Sequence, residues 1–124
     1  MSDRARLVRL GAIAMAFGVA LGAFGAHGLK TRLSPDLLAI YETGVHYHLV
    51  HGLALFVAAW LAGEDQTRAA RLAGLLLVVG ILLFSGSLYL LALTGVRALG
   101  AITPLGGVAW IAAWTILAFK VRLR

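Results

Sequence analysis

Residues 72–93 of this chain carry no charge at all. A helix needs about 20 consecutive apolar residues to cross a hydrocarbon core roughly 30 Å thick. Inside lipid, such a helix satisfies its backbone hydrogen bonds within itself. This run therefore demands a membrane. Three more apolar stretches accompany it. Residues 10–26 and 102–119 are long enough alone, and residues 49–62 become long enough when 37–45 extend their helix outward. Composition agrees: the chain is 61% hydrophobic and 13% charged, with mean hydropathy +0.94. Soluble domains run near 45–50% apolar and about 25% charged. The expectation is an all-α fold, an integral membrane four-helix bundle forming a single domain over residues 1–124. Its helices fall near residues 8–28, 35–62, 68–93 and 104–122.

Local residues mark two of the helix starts. In "LSPDLL", Ser34 is the expected N-cap, Pro35 the first helical residue and Asp36 an anion in the positive first turn. "ITPLGG" repeats the grammar with Thr103 and Pro104, so the fourth helix begins near Pro104 or earlier with a proline kink. "GEDQTR", residues 63–68, reads as a polar turn. The basic residues set orientation. Arg4, Arg6, Arg9, Arg68, Arg71, Lys120, Arg122 and Arg124 lie at one end of the bundle; Lys30, Arg32 and Arg97 lie at the other. Both termini are expected on the cytoplasmic side of the cell (inner) membrane. The +6 charge clusters at the ends of apolar runs, which suits topology and anionic headgroups and gives no reason to expect nucleic acid. An Arg-rich start before an apolar run also resembles a signal peptide, but the run exceeds a usual signal core.

Several chemistries are excluded outright. Cysteine is absent, which removes disulfides, thiolate nucleophiles and Cys-ligated metals. No phosphate-binding loop, nucleophile elbow or paired carboxylates occur, so an enzyme is not expected. No Asp, Glu, Lys or Arg lies within an apolar run, whereas ion-coupled carriers generally place one at membrane depth. The helix-one glutamate of four-helix small multidrug transporters has no counterpart.

Two sets of residues remain as candidates. The first is glycine: Gly11, Gly18, Gly22 and Gly25 fall within about 60° of one another on a helix turning 100° per residue. Ala16, Ala20 and Ala23 form a second small stripe nearly opposite. Such stripes let helices approach closely, within one molecule or in a homo-oligomer. The second set is polar. "TGVHYHLVHGLAL" puts His46, His48 and His51 within six residues, and His27 closes "GAFGAHGL". A helix through this stretch puts Glu42 and His46 on one side, and His48 and His51 on the other with Tyr47 beside His51. That disfavours a three-His zinc site, and no H-E-x-x-H pattern is present. Because helices one and two form a hairpin, His27 could approach His48 or His51. Tyr47, Ser85, Ser87 and Tyr89 are possible hydrogen-bond partners, with Ser85 and Tyr89 sharing a face and Ser87 pointing elsewhere. The expected cluster is His27, Tyr47, His51, Ser85, Ser87 and Tyr89. His46 and His48 are assigned to the solvated entrance of helix two. Trp60 reads as an interfacial anchor and Trp110 as packing.

In order along the chain, "VALGAFGAHGL", "TGVHYHLVHGLAL", "LFSGSLYLLAL" and "ITPLGGVAWIAAW" resemble the YgdD/YwdK-like family of small membrane proteins, a domain of unknown function numbered four-two-three. The resemblance covers nearly the whole chain. It implies a four-helix membrane protein and directs attention to Gly22, Gly25, His27, Thr43, Gly44, Tyr47, His51, Ser85, Gly86, Ser87, Tyr89, Thr103, Pro104, Gly106 and Gly107, while His46 and His48 lie outside the pattern. It brings no activity with it. The resulting expectation is a non-enzymatic membrane protein without cofactor or catalytic residues. It acts through helix-face contacts with lipid, a second copy or another membrane protein, with Gly11, Gly18, Gly22, Gly25, Gly106 and Gly107 as packing positions. Passage of a small molecule or ion between helices is the first alternative, and metal or haem binding by histidine the second.

Overall fold

The computed structural model describes residues 1–63 and 67–120. Residues Glu64, Asp65 and Gln66 of the expected polar turn, and Arg122 and Arg124 at the expected end of helix four, lie outside the described residues. Four helices are long and apolar enough to cross a membrane: α1 (Asp3–Leu29), α2 (Pro35–Ala62), α3 (Arg68–Thr94) and the span Arg97–Phe119, in which a 3-10 turn at Arg97–Ala101 leads into α4 (Thr103–Phe119). The chain is thus an all-α, four-helix membrane protein.

Capping explains most boundaries. Ser34 Oγ accepts from the Leu37 N–H at 3.3 Å, and Pro35 and Asp36 occupy the first turn. The start of α1 corrects the expectation of residue 8. Ser2 Oγ accepts from the Ala5 N–H at 3.1 Å, with Asp3 in the first turn, so the helix opens at Asp3 and carries its arginines on its own first turns. The same grammar governs both sites. At α4, Thr103 is not the N-cap: Ile102 holds that position, and Pro104 falls in the first helical turn. The Thr103 hydroxyl instead meets Ser87 Oγ at 2.6 Å. Gly95 ends α3 at φ +73°, its N–H bonded to the Leu91 carbonyl at 2.8 Å, a conformation that glycine adopts without a Cβ penalty.

Two helices widen into a π turn, α1 at Gly25–Leu29 and α3 at Ile81–Ser85. Such turns rotate the residues beyond them relative to a regular helix.

Packing centres on α2, which lies against both α1 and α3; α4 packs mainly on α3, and α1 barely meets α3. The glycine stripe of α1 faces α2. Gly11 lies under Phe56, Gly18 under Leu49, Gly22 under Val45 and Gly25 under Tyr41. As numbers rise along α1 they fall along α2, the register of an antiparallel hairpin. Tyr41 completes the contact by donating to the Leu21 carbonyl at 2.5 Å. Between α3 and α4 the approach is closer still. A Cβ at Gly106 would overlap the backbone nitrogen of Phe84, and one at Gly80 would overlap the Trp110 indole. Leu55, Ala58, Leu77 and Ala113 fill the core with no exposure. The outside is apolar too: Phe17, Leu82, Val108 and Ile111 are each exposed by more than 60%. In a helix bundle of this length that surface belongs against lipid.

Candidate polar site

The histidines do not sit at a wet entrance. Ser34 and Gly63 bound a continuous α2, so His48 lies at its middle, with about 20 Å of helix on either side at 1.5 Å per residue. This corrects the assignment of His48 to the solvated entrance. The apolar run from residue 49 is only the second half of the helix, and the first half is equally helical. His46 does lie on the exposed side, edge-on to Tyr47 at 5.5 Å. His27 is exposed in the π turn of α1 and forms no hydrogen bond with His48 or His51 among the described residues. The expected approach of His27 to His48 or His51 is therefore not made through a hydrogen bond. The Gly25–Leu29 turn carries Gly25 against Tyr41 and leaves His27 on the outer side.

On the flank of α2 facing α1 and α3, His48 is buried and makes two bonds. Its Nε2 lies 2.7 Å from the Ala14 carbonyl, and its Nδ1 lies 2.8 Å from the Tyr89 hydroxyl. A carbonyl only accepts, so Nε2 carries the proton and Nδ1 accepts from Tyr89 O–H in the neutral ring. Tyr89 reaches His48 because helical side chains lean toward their own N-terminus. Its ring passes Gly44, where a Cβ would stand only 3.0 Å from it. One turn earlier on α3, Ser85 is fully buried and donates to the Gly44 carbonyl at 2.7 Å. Ser85 and Tyr89 thus both work on α2. Ser87 faces α4, donating to the Phe84 carbonyl at 2.9 Å or sharing a proton with Thr103.

On the flank facing α4, His51 is buried under aromatic rings. Its ring stacks on Trp110 with centroids 3.7 Å apart and planes 5° from parallel. Its Nδ1 lies 2.7 Å from the Tyr47 carbonyl, and the Trp114 indole donates to its Nε2 at 3.1 Å. An indole N–H can only donate, so His51 is neutral and carries its proton on Nδ1, the opposite tautomer to His48. Trp110 itself donates to the Leu77 carbonyl at 3.1 Å, which ties α4 to α3. Tyr47, 42% exposed, stacks over Trp110 from outside with centroids 5.9 Å apart.

The expected cluster is therefore divided between two sites. Tyr47 and His51 belong to an aromatic box with Trp110 and Trp114, Tyr89 belongs with His48, Ser85 and Ser87 tie α3 to α2 and α4, and His27 stands apart. Sequence reading missed His48, the Ala14 carbonyl and the part played by Trp114, while its reading of Trp110 as packing holds, since that ring is buried in the core against His51. The helix expected over residues 35–62 already put His48 at its middle, and only its assignment to solvent was wrong. Nothing in the sequence would have aimed Trp114 at His51. Chemically, neither imidazole offers a free lone pair to a metal, because Tyr89 and Trp114 occupy the two accepting nitrogens. Among the described residues no three His, Asp or Glu side chains gather at metal-binding distance.

Comparison with known proteins places this geometry. The model of a family described as a protein of unknown function (DUF423) matches residues 21–107, which take in His48, His51, Ser85 and Tyr89 but not Trp110 or Trp114. The chain is 50% identical over 109 residues to the UPF0382 membrane protein YwdK of Bacillus subtilis, covering 87% of this chain and 89% of that protein. It is 46% identical over 108 residues to the UPF0382 membrane protein SH2409 of Staphylococcus haemolyticus, covering 87% of this chain and 88% of the relative. No solved structure matches the chain.

Proposed function

The chain belongs to the DUF423 family, whose relatives are membrane proteins, and we propose that it acts there without chemistry of its own, through helix-face contact with lipid, a second copy or another membrane protein. One contrast carries this reading. Among the described residues no buried side-chain nitrogen or oxygen lacks a partner, so the interior polar groups are committed to holding the helices together. The outer faces are apolar and unpartnered, and the links between helices are short, which leaves the faces as the surface available for recognition.

Passage between helices would draw on free polar groups along a continuous path. The mutual pairing of His48 with Tyr89, Ser85 with Gly44 and Ser87 with Thr103 favours contact instead. In the same reading the protein lies in the inner membrane with both termini cytoplasmic, supported by the eight basic residues at that end against three at the other. A cysteine placed at residue 2 of this cysteine-free chain should resist an impermeant external reagent in intact cells, and labelling there would reverse the orientation.

The contact reading is tested by releasing the protein from its membrane in several mild detergents and weighing the intact particles. Masses above the monomer are expected, from bound phospholipid, further copies or another membrane protein. Bare monomer in every detergent would overturn it.

A further inference from the structure

Because α1 and α3 lean on α2 but barely touch each other, a groove of about 360 Å³ opens between them, toward the outside of the bundle. Ile13 and Phe17 form one wall, Ile81 and Leu82 the other, His48 and Tyr89 also line it, and along α1 it reaches Leu21 at one end. These two polar side chains do not make the groove polar. The Tyr89 hydroxyl is turned to His48 Nδ1 and the other ring nitrogen to the Ala14 carbonyl, so what remains for an occupant is carbon surface. A hydrocarbon fits such a lining; a ligand with an uncompensated polar head at this depth does not.

At its other end the groove runs on into a second hollow of about 230 Å³, with Leu10 and Val78 lining both. This hollow ends in charge, lined by Asp3, Arg6 and Arg71. Arg6 and Arg71 approach Asp3 to 3.7 and 3.9 Å, looser than hydrogen-bonded ion pairs, and their side chains are 62% and 65% exposed. Two guanidinium groups around one carboxylate leave an excess positive charge and unused N–H donors. Arg68 adds to it, lining the adjoining hollow with Arg71. Arginine forks match phosphate oxygens. Along α1, the rise from Arg6 to Leu21 is about 22 Å at 1.5 Å per residue, more than half of a hydrocarbon core of roughly 30 Å.

We propose that the α1/α3 groove is a binding site for an anionic phospholipid. Its phosphate rests on Arg6 and Arg71, and one acyl chain lies along the groove as far as the His48–Tyr89 pair. The inference rests on the contact reading and gives one helix face its occupant. A charged mouth on an apolar trough of this length matches an amphiphile with an anionic head, and complementarity of charge separates it from a neighbouring helix.

The test uses the full chain, stripped of lipid and offered phosphatidylglycerol or phosphatidylcholine in the same detergent, with bound lipid counted on the intact protein. One phosphatidylglycerol per chain is expected, preferred over phosphatidylcholine. Replacing either Arg6→Gln or Arg71→Gln should weaken that preference about fivefold, the equivalent of roughly 1 kcal/mol per basic residue. Ile13→Trp and Gly86→Leu, each filling the groove without touching the arginines, should remove bound lipid of both kinds. Whichever of the two keeps wild-type helicity and thermal unfolding provides the readout, and normal lipid retention in it overturns the site. A photo-crosslinker at Ile13 should form lipid adducts; adducts with a second copy would give the groove to protein instead. Equal retention of both lipids, insensitive to the arginines, overturns this inference and leaves the contact reading standing. Absence of both lipid and protein partners overturns both.

Discussion

The two flanks of α2 carry the same side chain under opposite conditions. His51 faces α4, where Gly80 and Gly106 let α3 and α4 close on each other and Trp110 stacks flat on the imidazole. His48 faces α1 and α3, which stand apart and leave a trough open to the outside. Three residues separate the histidines, which rotates them about 300° around the helix and puts them on neighbouring faces. The difference between a sealed flank and an open one is therefore set by what the adjoining helices permit. Glycine opposite an aromatic ring produces closure. Bulky Ile13, Phe17 and Leu82 along facing edges leave a gap.

This comparison can be broken most forcefully at the glycines. Gly106→Leu should cost about 3 kcal/mol or prevent folding, because its Cβ meets the Phe84 backbone, which cannot rotate away. Gly86→Ala, on the open flank with only a carbonyl oxygen 3.9 Å from the new Cβ, should leave thermal unfolding in detergent unchanged. Equal damage from both would remove the distinction between flanks.

The histidines come next. His51→Ala should cost about 2 kcal/mol by loss of the Trp110 stack and the Trp114 bond, and His48→Ala about 1 kcal/mol, since Tyr89 can turn and lipid can enter the space. Thermal unfolding of the two variants side by side checks the order, and a larger loss at His48 would invert the comparison. Trp114→Phe keeps the ring and deletes the donor. It should cost only about 0.6 kcal/mol, the average for hydrogen bonds between membrane helices. The last difference carries no stability change at all. Nitrogen chemical shifts of the labelled imidazoles should report the proton on Nδ1 in His51 and on Nε2 in His48; matching tautomers would contradict the partners assigned to them.

Much of the fold is legible in the sequence. The uncharged run 72–93, the Ser34–Pro35–Asp36 start and the α1 glycine stripe each encode a local rule, and local rules need only neighbours along the chain. Ser2 and Asp3 follow the same rule as Ser34 and Asp36, yet the arginines beside them read as loop. Inside a helix those arginines become the charged rim of a groove. The polar site is less legible. Glu42, Thr43 and three histidines look like a hydrated entrance even in a helix expected over residues 35–62, because polarity along the stretch does not say which side chains neighbouring helices bury.

The sequence by itself determined that this protein is four apolar helices in a membrane, where α2 begins, and that α1 can be approached closely along glycine. These follow from hydrogen-bond satisfaction in lipid and from capping, which act over a few residues. Only the tertiary structure decided which histidine is sealed and which lies under a groove, that Tyr89 serves His48 while Trp114 serves His51, and that His27 serves neither. Those outcomes depend on how closely helices distant in sequence approach, on the π turns that rotate their ends, and on the side chains available across each gap.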